Sequence, residues 1–272
     1  MADGAVLLTG ATSGLGAWLA PRLGAAGLTV LVHGRDPGKV GRTVAAVRDN
    51  GGRADGYVAD LASLADCARL AAEVADRGDL RVLVNNAGVG FGAPGAGREL
   101  SRDGYELRWA VNYLAPVAIT RALLPVLRAN APARVVNVGS IGQHPIDVTD
   151  LRMDRGYDGT VAYRRAKLAL AAWTFDLAEE LAADRVRVDC IHPATLMDTA
   201  MVDESDMGPM STVEEGGSAT LRLILDDEGT GRFFNGVRAA RAHPDAYDPA
   251  VRAALRAATD EALSEPPSRL AG

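Results

Sequence analysis

The amino-acid sequence predicts one α/β domain, a doubly wound parallel sheet with helices on both faces. Three observations carry that expectation. Short apolar runs alternate with helix-patterned stretches along the 272 residues. The chain is 48% hydrophobic but only 5% aromatic, which suits strands buried on both faces better than an antiparallel sandwich. A glycine-rich turn also follows the first apolar run and opens the first helix.

The first run is Ala5–Thr9, followed by a helix over Gly14–Ala26 in which Pro21 should cost a hydrogen bond or cause a kink. Leu28–His33 is the second strand, and Asp36-Pro37 opens the next helix as N-cap and first residue. Gly56–Ala59 and Val82–Val84 are short strands on either side of a helix over Ser63–Ala75. Gly104–Asn130 reads as one long helix, with Leu107, Val111, Leu114 and Ala118 in a buried stripe. Arg134–Val138 and Val186–Ile191 are strands around a helix over Val161–Ala183. Repeated strand–helix–strand order implies parallel pairing. No repeat or linker divides residues 1–272, and a helical tail runs from about 247 to a loose end at Glu265–Gly272.

Net charge is −6, with no basic stripe, so a nucleic-acid partner is not expected. Cys67 and Cys190 lie far apart without metal-ligand spacing and read as buried thiols in a reducing compartment; no metal site is expected. The N-terminus lacks the basic and apolar regions of a signal peptide, and no stretch approaches the ~20 apolar residues of a membrane span. The expectation is a cytoplasmic protein without membrane contact.

The turn Thr9-Gly10-Ala11-Thr12-Ser13-Gly14-Leu15-Gly16 fits a pyrophosphate cradle, because its glycines let backbone approach phosphate and the next helix presents free N–H groups. Its G-x-x-x-G-x-G spacing differs from the usual dinucleotide fingerprint, but its place between strand and helix indicates a Rossmann-type site. The second strand ends at His33-Gly34-Arg35-Asp36. With Asp36 used as a cap, Arg35 is left to meet a 2′-phosphate, which favours NADP(H) over NAD; His33 is read as a strand residue.

Tyr163 and Lys167 lie four apart and share a helix face. Asn85-Asn86-Ala87-Gly88 follows one strand, and Val135-Val136-Asn137-Val138-Gly139-Ser140 ends at another strand's C-terminus. Together with the Thr9–Gly16 turn, Asp60-Leu61, Asn112 and His192-Pro193, these residues resemble the short-chain dehydrogenase/reductase family over roughly residues 5–250.

That resemblance implies an oxidoreductase acting on a carbonyl or alcohol. Tyr163 would be the general acid or base, its ordinary pKa of ~10 lowered by Lys167 and the oxidised nicotinamide. Lys167 would also bind the nicotinamide ribose, Ser140 would hold the substrate oxygen, and Asn112 would help hold a relay water. Asp60 and Leu61 would contact adenine, and Asn86, Ala87 and Gly88 would line the cofactor. Gly10, Thr12, Ser13, Gly14, Leu15 and Gly16 would cradle the phosphates, and Pro193 with Thr195 or Thr199, Thr199 preferred, would meet the nicotinamide carboxamide.

Two departures from the family pattern stand out. Ser140 and Tyr163 are 23 positions apart, and the excess over the usual spacing, Gln143–Asp158, holds Asp147, Asp150, Asp154 and Asp158. This insert resembles that of the retinol-dehydrogenase-like branch and its bacterial relatives, and reads as an acidic surface loop. Where the family carries Pro-Gly, this chain has Pro193-Ala194, and Ala does not take a positive φ cheaply, so a different turn is expected. The segment after it, about Leu196–Ser211, would be a substrate lid. Met197, Met201, Met207 and Met210, four of six methionines, fall there with Leu196 and suit a bulky, largely apolar substrate.

The alternatives are an epimerase or dehydratase using transient oxidation, or a catalytically silent NADP-binding scaffold. The presence of Ser140, Tyr163 and Lys167 argues against the scaffold. Apolar faces on the two long helices would suit a homodimer or homotetramer.

Overall fold

The computed structural model describes residues 4–204, 207–225 and 229–264; Glu265–Gly272, and Ser205 and Asp206 within the expected lid, lie outside them. The chain runs β1 (Ala5–Leu8), α1 (Gly14–Ala25), β2 (Thr29–Gly34), α2 (Pro37–Asp49), β3 (Arg53–Val58), α3 (Leu64–Ala75) and β4 (Leu80–Asn85). Then come α4 (Leu107–Trp109), a π-helical segment (Ala110–Leu114), α5 (Ala115–Ala129), β5 (Ala133–Val138), α6 (Gly159–Glu180) and β6 (Val186–His192). The remainder is α7 (Ala200–Asp203), α8 (Val213–Leu225), β7 (Phe233–Asn235), β8 (Arg238–Ala240), a 3₁₀ turn (Pro244–Tyr247) and α9 (Pro249–Ser264).

One eight-stranded sheet in the order β3-β2-β1-β4-β5-β6-β7-β8 organises all of it. Its strands pair in parallel except for the β7–β8 hairpin. The expected doubly wound sheet is therefore present. Chain order reverses between β1 and β4, the place where such sheets open a crevice at their strand C-termini. One core fills the face covered by α3, α5 and α6, with Leu7, Leu83, Val135 and Leu170; the other joins α1, α2 and α8 through Val6, Leu19, Val30, Val84 and Ile224.

Local chemistry sets the element ends. Asp36 caps α2 by accepting from Lys39 N at 2.8 Å, with Pro37 next, as expected. Ser63 and Asp158 cap α3 and α6 in the same way. α1 runs through Pro21 without a break in its helical assignment. The long helix expected over Gly104–Asn130 starts at Leu107 and carries the π-helical turn that contains Asn112.

That composite helix, Leu107–Ala129, corrects the membrane expectation on one point. It is 23 residues long and its most apolar 18-residue window has mean hydropathy 1.5, enough by length and composition to cross a bilayer. However, 67% of its most apolar window is buried inside the fold, which marks a core helix.

The chain's own tail packs on the π-helical segment and α6. Tyr113 Oη lies 2.7 Å from Thr259 Oγ1, Phe175 stacks on Tyr247 at 4.7 Å, and Arg252 Nε donates to Asp176 at 2.6 Å.

Candidate active site

A cleft of about 470 Å³ opens at the C-terminal ends of β1, β2, β4, β5 and β6. Its floor begins at the glycine turn. Gly10 and Gly14 have φ of +64° and +47°, the left-handed region that favours glycine. A Cβ on Gly16 would lie only 2.2 Å from Gly10 O, so the turn closes only with a bare Cα there. Thr9 Oγ1 receives Asn86 N and Ala87 N, each at 3.0 Å, and Asn86 Nδ2 donates to Thr9 O and Gly10 O.

His33 fixes the turn from the other side. Its Nδ1 accepts from Gly10 N at 3.2 Å, which requires the Nε2–H tautomer donating to Ala59 O at 3.1 Å. Burial pushes its pKa down to about 4, so the ring is neutral at physiological pH.

The residues fit a dinucleotide. Unlike α2, α3 and α6, α1 has no side-chain cap: Ser13 stands at its N-cap with no cap hydrogen bond, and no acid lies in its first turn. Its first N–H groups and positive dipole end therefore face the cleft unsatisfied by side chains, which suits a phosphate. Arg35, exposed, lines the cleft where β2 ends, together with Asp60 and Leu61. Asp60 Oδ1 accepts from Ala62 N at 3.1 Å.

The opposite wall carries the expected chemistry. Ser140 stands just past β5, with its Oγ accepting from Gly142 N at 3.0 Å, and lines the cleft together with Tyr163. Tyr163 and Lys167 occupy the second and third turns of α6. Lys167 Nζ donates to Val138 O at 2.8 Å and lies 5.7 Å from the Tyr163 ring centroid. Burial pushes the lysine down to about 8. Burial also pushes the Tyr163 phenol above its ordinary value, and the Ser140 side chain only opposes that. In the chain alone burial therefore sets the net direction, upward.

Two expected residues lie off the cleft wall. Asn112, fully buried, spends its amide on Val89, accepting from its N at 2.8 Å and donating to its O at 2.9 Å. It therefore fixes the strand-end segment directly. A Cβ on Gly88 would lie 3.1 Å from Asn112 Oδ1 and 3.8 Å from Lys167 Nζ, so both groups approach that glycine. Met210 points to solvent with 73% exposure, so the lid methionines at the cleft are Met197, Met201 and Met207, with Leu196. Met197 also packs toward α8, its Sδ 2.4 Å from where a Gly216 Cβ would stand.

The turn after β6 does differ as expected. Positive φ falls on Leu196, at +45°, rather than on Ala194. Both threonines line the cleft: Thr195 Oγ1 is 3.1 Å from His192 Nε2, and Thr199 Oγ1 donates to Met197 O at 3.3 Å. The acidic insert spends its carboxylates on its own turns and neighbours. Asp147 and Asp150 accept from Thr149 N and Asp154 N, Asp154 pairs with Arg98 at 2.6 Å, and Asp158 caps α6.

Sequence reasoning missed Phe91, Ile141 and Arg164, which also line the cleft. Phe91 meets the Tyr163 ring edge-on, centroids 4.6 Å apart. The Asn85–Gly88 motif pointed to this segment, but nothing in the sequence singled out the aromatic just beyond it.

The family profile described as short chain dehydrogenase matches residues 4–208. Retinol dehydrogenase 14 from Mus musculus is 31% identical over 276 aligned residues, covering 90% of this chain and 81% of that protein. A crystal structure of an uncharacterized protein from Mycobacterium paratuberculosis has TM-score 0.80 and 29% identity, covering 96% of this chain and 94% of that one. An actinorhodin polyketide ketoreductase with NADPH has TM-score 0.68 and 25% identity, covering 86% and 97%. The chain belongs to the short-chain dehydrogenase/reductase family, in its retinol-dehydrogenase-like branch.

Proposed function

We propose that this oxidoreductase uses NADP(H) to interconvert a ketone or aldehyde and an alcohol on a bulky, largely apolar substrate. The observation that carries the reading is the grouping of Ser140, Tyr163 and Lys167 in the same cleft as the uncapped N-terminus of α1. Ser140 would hold the substrate oxygen, and Tyr163 would deliver a proton to it in reduction or remove one in oxidation. Lys167, still charged at neutral pH with its value near 8, would hold the nicotinamide ribose and favour the phenolate. The nicotinamide, when bound, supplies or accepts the hydride.

Arg35 is the natural partner of a 2′-phosphate, since the Asp36 carboxylate already caps α2. Phe91, Ile141, Leu196, Met201 and Met207 give the rest of the cleft an apolar wall. The ketoreductase with NADPH and the retinol dehydrogenases among its relatives support both choices.

The test is a nicotinamide-fluorescence titration with NADPH and NADH. NADPH should bind more tightly, and Arg35→Ala should weaken it by roughly 10–100-fold, the worth of a charge-assisted phosphate contact. Tyr163→Phe should keep NADPH affinity and lower kcat by at least ~100-fold with retinaldehyde as probe. NADH preference untouched by Arg35→Ala, or full activity in Tyr163→Phe, refutes the corresponding half of the proposal.

A further inference from the structure

Glu106 has no exposed surface and Arg108 is 3% exposed, a charged pair inside the fold next to the candidate active site. Ions buried this deeply are costly unless their hydrogen-bonding capacity is filled, and well-packed apolar residues would often be at least as stable. Here the capacity is filled by groups from three separate segments. Glu106 Oε2 accepts from Trp109 N at 2.8 Å, capping α4, while Oε1 accepts from Arg108 Nη1 at 3.2 Å and from the Tyr157 hydroxyl at 3.1 Å. Arg108 Nε in turn donates to Gly90 O at 3.0 Å, and its Nη2 lies only 2.5 Å from where a Cβ on Gly92 would stand.

Arg108 is thus bonded to residue 90 and packed close against residue 92, on either side of Phe91. From the opposite direction the start of α6 closes on the same residue: a Cβ on Gly159 would lie 2.2 Å from Phe91 O. With its backbone held in this way, the Phe91 ring lies edge-on to Tyr163, at an interplanar angle of 69°, and forms part of the cleft wall.

We propose that Glu106 is a positioning residue for the reaction: with the buried Arg108 and the part-buried Tyr157 it forms a clamp that fixes Phe91 against Tyr163, setting the placement of the phenol and the shape of the substrate wall. The proposal rests on the reading of Tyr163 as acid and base. It also gives the end of the 143–158 insert a task, delivery of the Tyr157 hydroxyl to Glu106. Burial, and then the Glu106 charge, push that phenol up to about 12, so it stays a proton donor across the physiological range.

The experiment uses the full chain labelled with 3-fluorotyrosine and ¹⁹F NMR, the Tyr163 resonance being assigned by its loss in Tyr163→Phe. Tyr157→Phe, which deletes one hydroxyl, and Glu106→Gln, which keeps the acceptors and removes the charge, should each move the Tyr163 resonance. In a Phe91→Leu background Tyr157→Phe should move it no further, because the clamp acts through that ring. With NADPH and retinaldehyde, Tyr157→Phe should raise KM several-fold while the Kd for NADPH is unchanged.

A Tyr163 resonance unmoved by Tyr157→Phe would overturn the proposal, whatever the change in Tm, since it would leave the cluster a purely structural role. So would an equal shift in the presence and absence of the Phe91 ring. Failure of the catalytic reading shows separately, as retained activity in Tyr163→Phe.

Discussion

Replacing His33 with Gln should flatten the acid side of the stability profile. The folded ring is neutral with its pKa at about 4, against 6.5 for an ordinary histidine. Below pH 6.5 the unfolded chain therefore binds a proton that the folded chain refuses, so stability falls as pH drops and goes on falling until the folded pKa is reached. Between about pH 7.5 and 5.5 this linkage amounts to about 1.4 kcal/mol for one such group. His192, also pushed to about 4 by burial, should contribute about as much, giving roughly 3 kcal/mol for the wild type over that window. Carboxylates titrate mostly below it.

Urea unfolding at the two pH values measures the difference directly. His33→Gln should lose about half of the wild-type pH dependence. It should also be less stable at neutral pH by about 1 kcal/mol, because Gly10 N loses its acceptor. If the variant and the wild type lose the same stability between the two pH values, the neutral buried imidazole bridging Gly10 and Ala59 is wrong.

Three other perturbations probe different parts of the molecule. Gly16→Ala should lower NADPH affinity at least ~10-fold in a fluorescence titration, because the new Cβ would meet Gly10 O and push the turn away from the helix N-terminus it serves. The kcat/KM for reduction should fall above about pH 8 as Lys167 loses its charge. Lys167→Arg, charged throughout, should show no such limb in its pH–rate profile, even at lower overall activity. Tyr113→Phe should cost about 1 kcal/mol and lower Tm by about 2–4 °C in a thermal melt. Thr259 gives its own proton to Leu255 O at 2.7 Å, leaving its oxygen to accept from Tyr113.

What was legible in the sequence was whatever local chemistry determines. Asp36-Pro37 announces a helix start whatever surrounds it, and the glycine turn needs small residues at fixed spacings, so both could be read directly. Tyr163, Lys167 and Ser140 were legible through family resemblance and their places at element ends. The π-helical turn at Ala110–Leu114 was not, because propensity favours a regular helix and the irregularity goes with a tertiary contact, Asn112 clasping Val89.

Phe91 and Glu106 were missed for a related reason. An aromatic in a loop and an acid before a helix are commonplace until the fold brings Tyr163 and Tyr157 to them. The β7–β8 hairpin was overlooked although Asn235-Gly236 is a strong hairpin signal; strands of three residues are too short for periodicity to mark. Met210 shows the limit of composition, since a methionine in the right segment still points outward.

The contact between the tail and the central helices bears on how the protein is made. Tyr113 and Thr259 are 146 positions apart, and at about 5–20 residues per second a ribosome takes roughly 7–30 s to synthesise the chain between them. Throughout that interval Tyr113, and once it is made Phe175 as well, stand in the nascent chain without the segment that packs on them. Uncovered apolar surface of this kind is what chaperones recognise and what drives aggregation. Synthesis of α9 thus ends this vulnerable period in the protein's biogenesis, and ribosomal stalling just before residue 249 should be more hazardous to it than stalling just after residue 264.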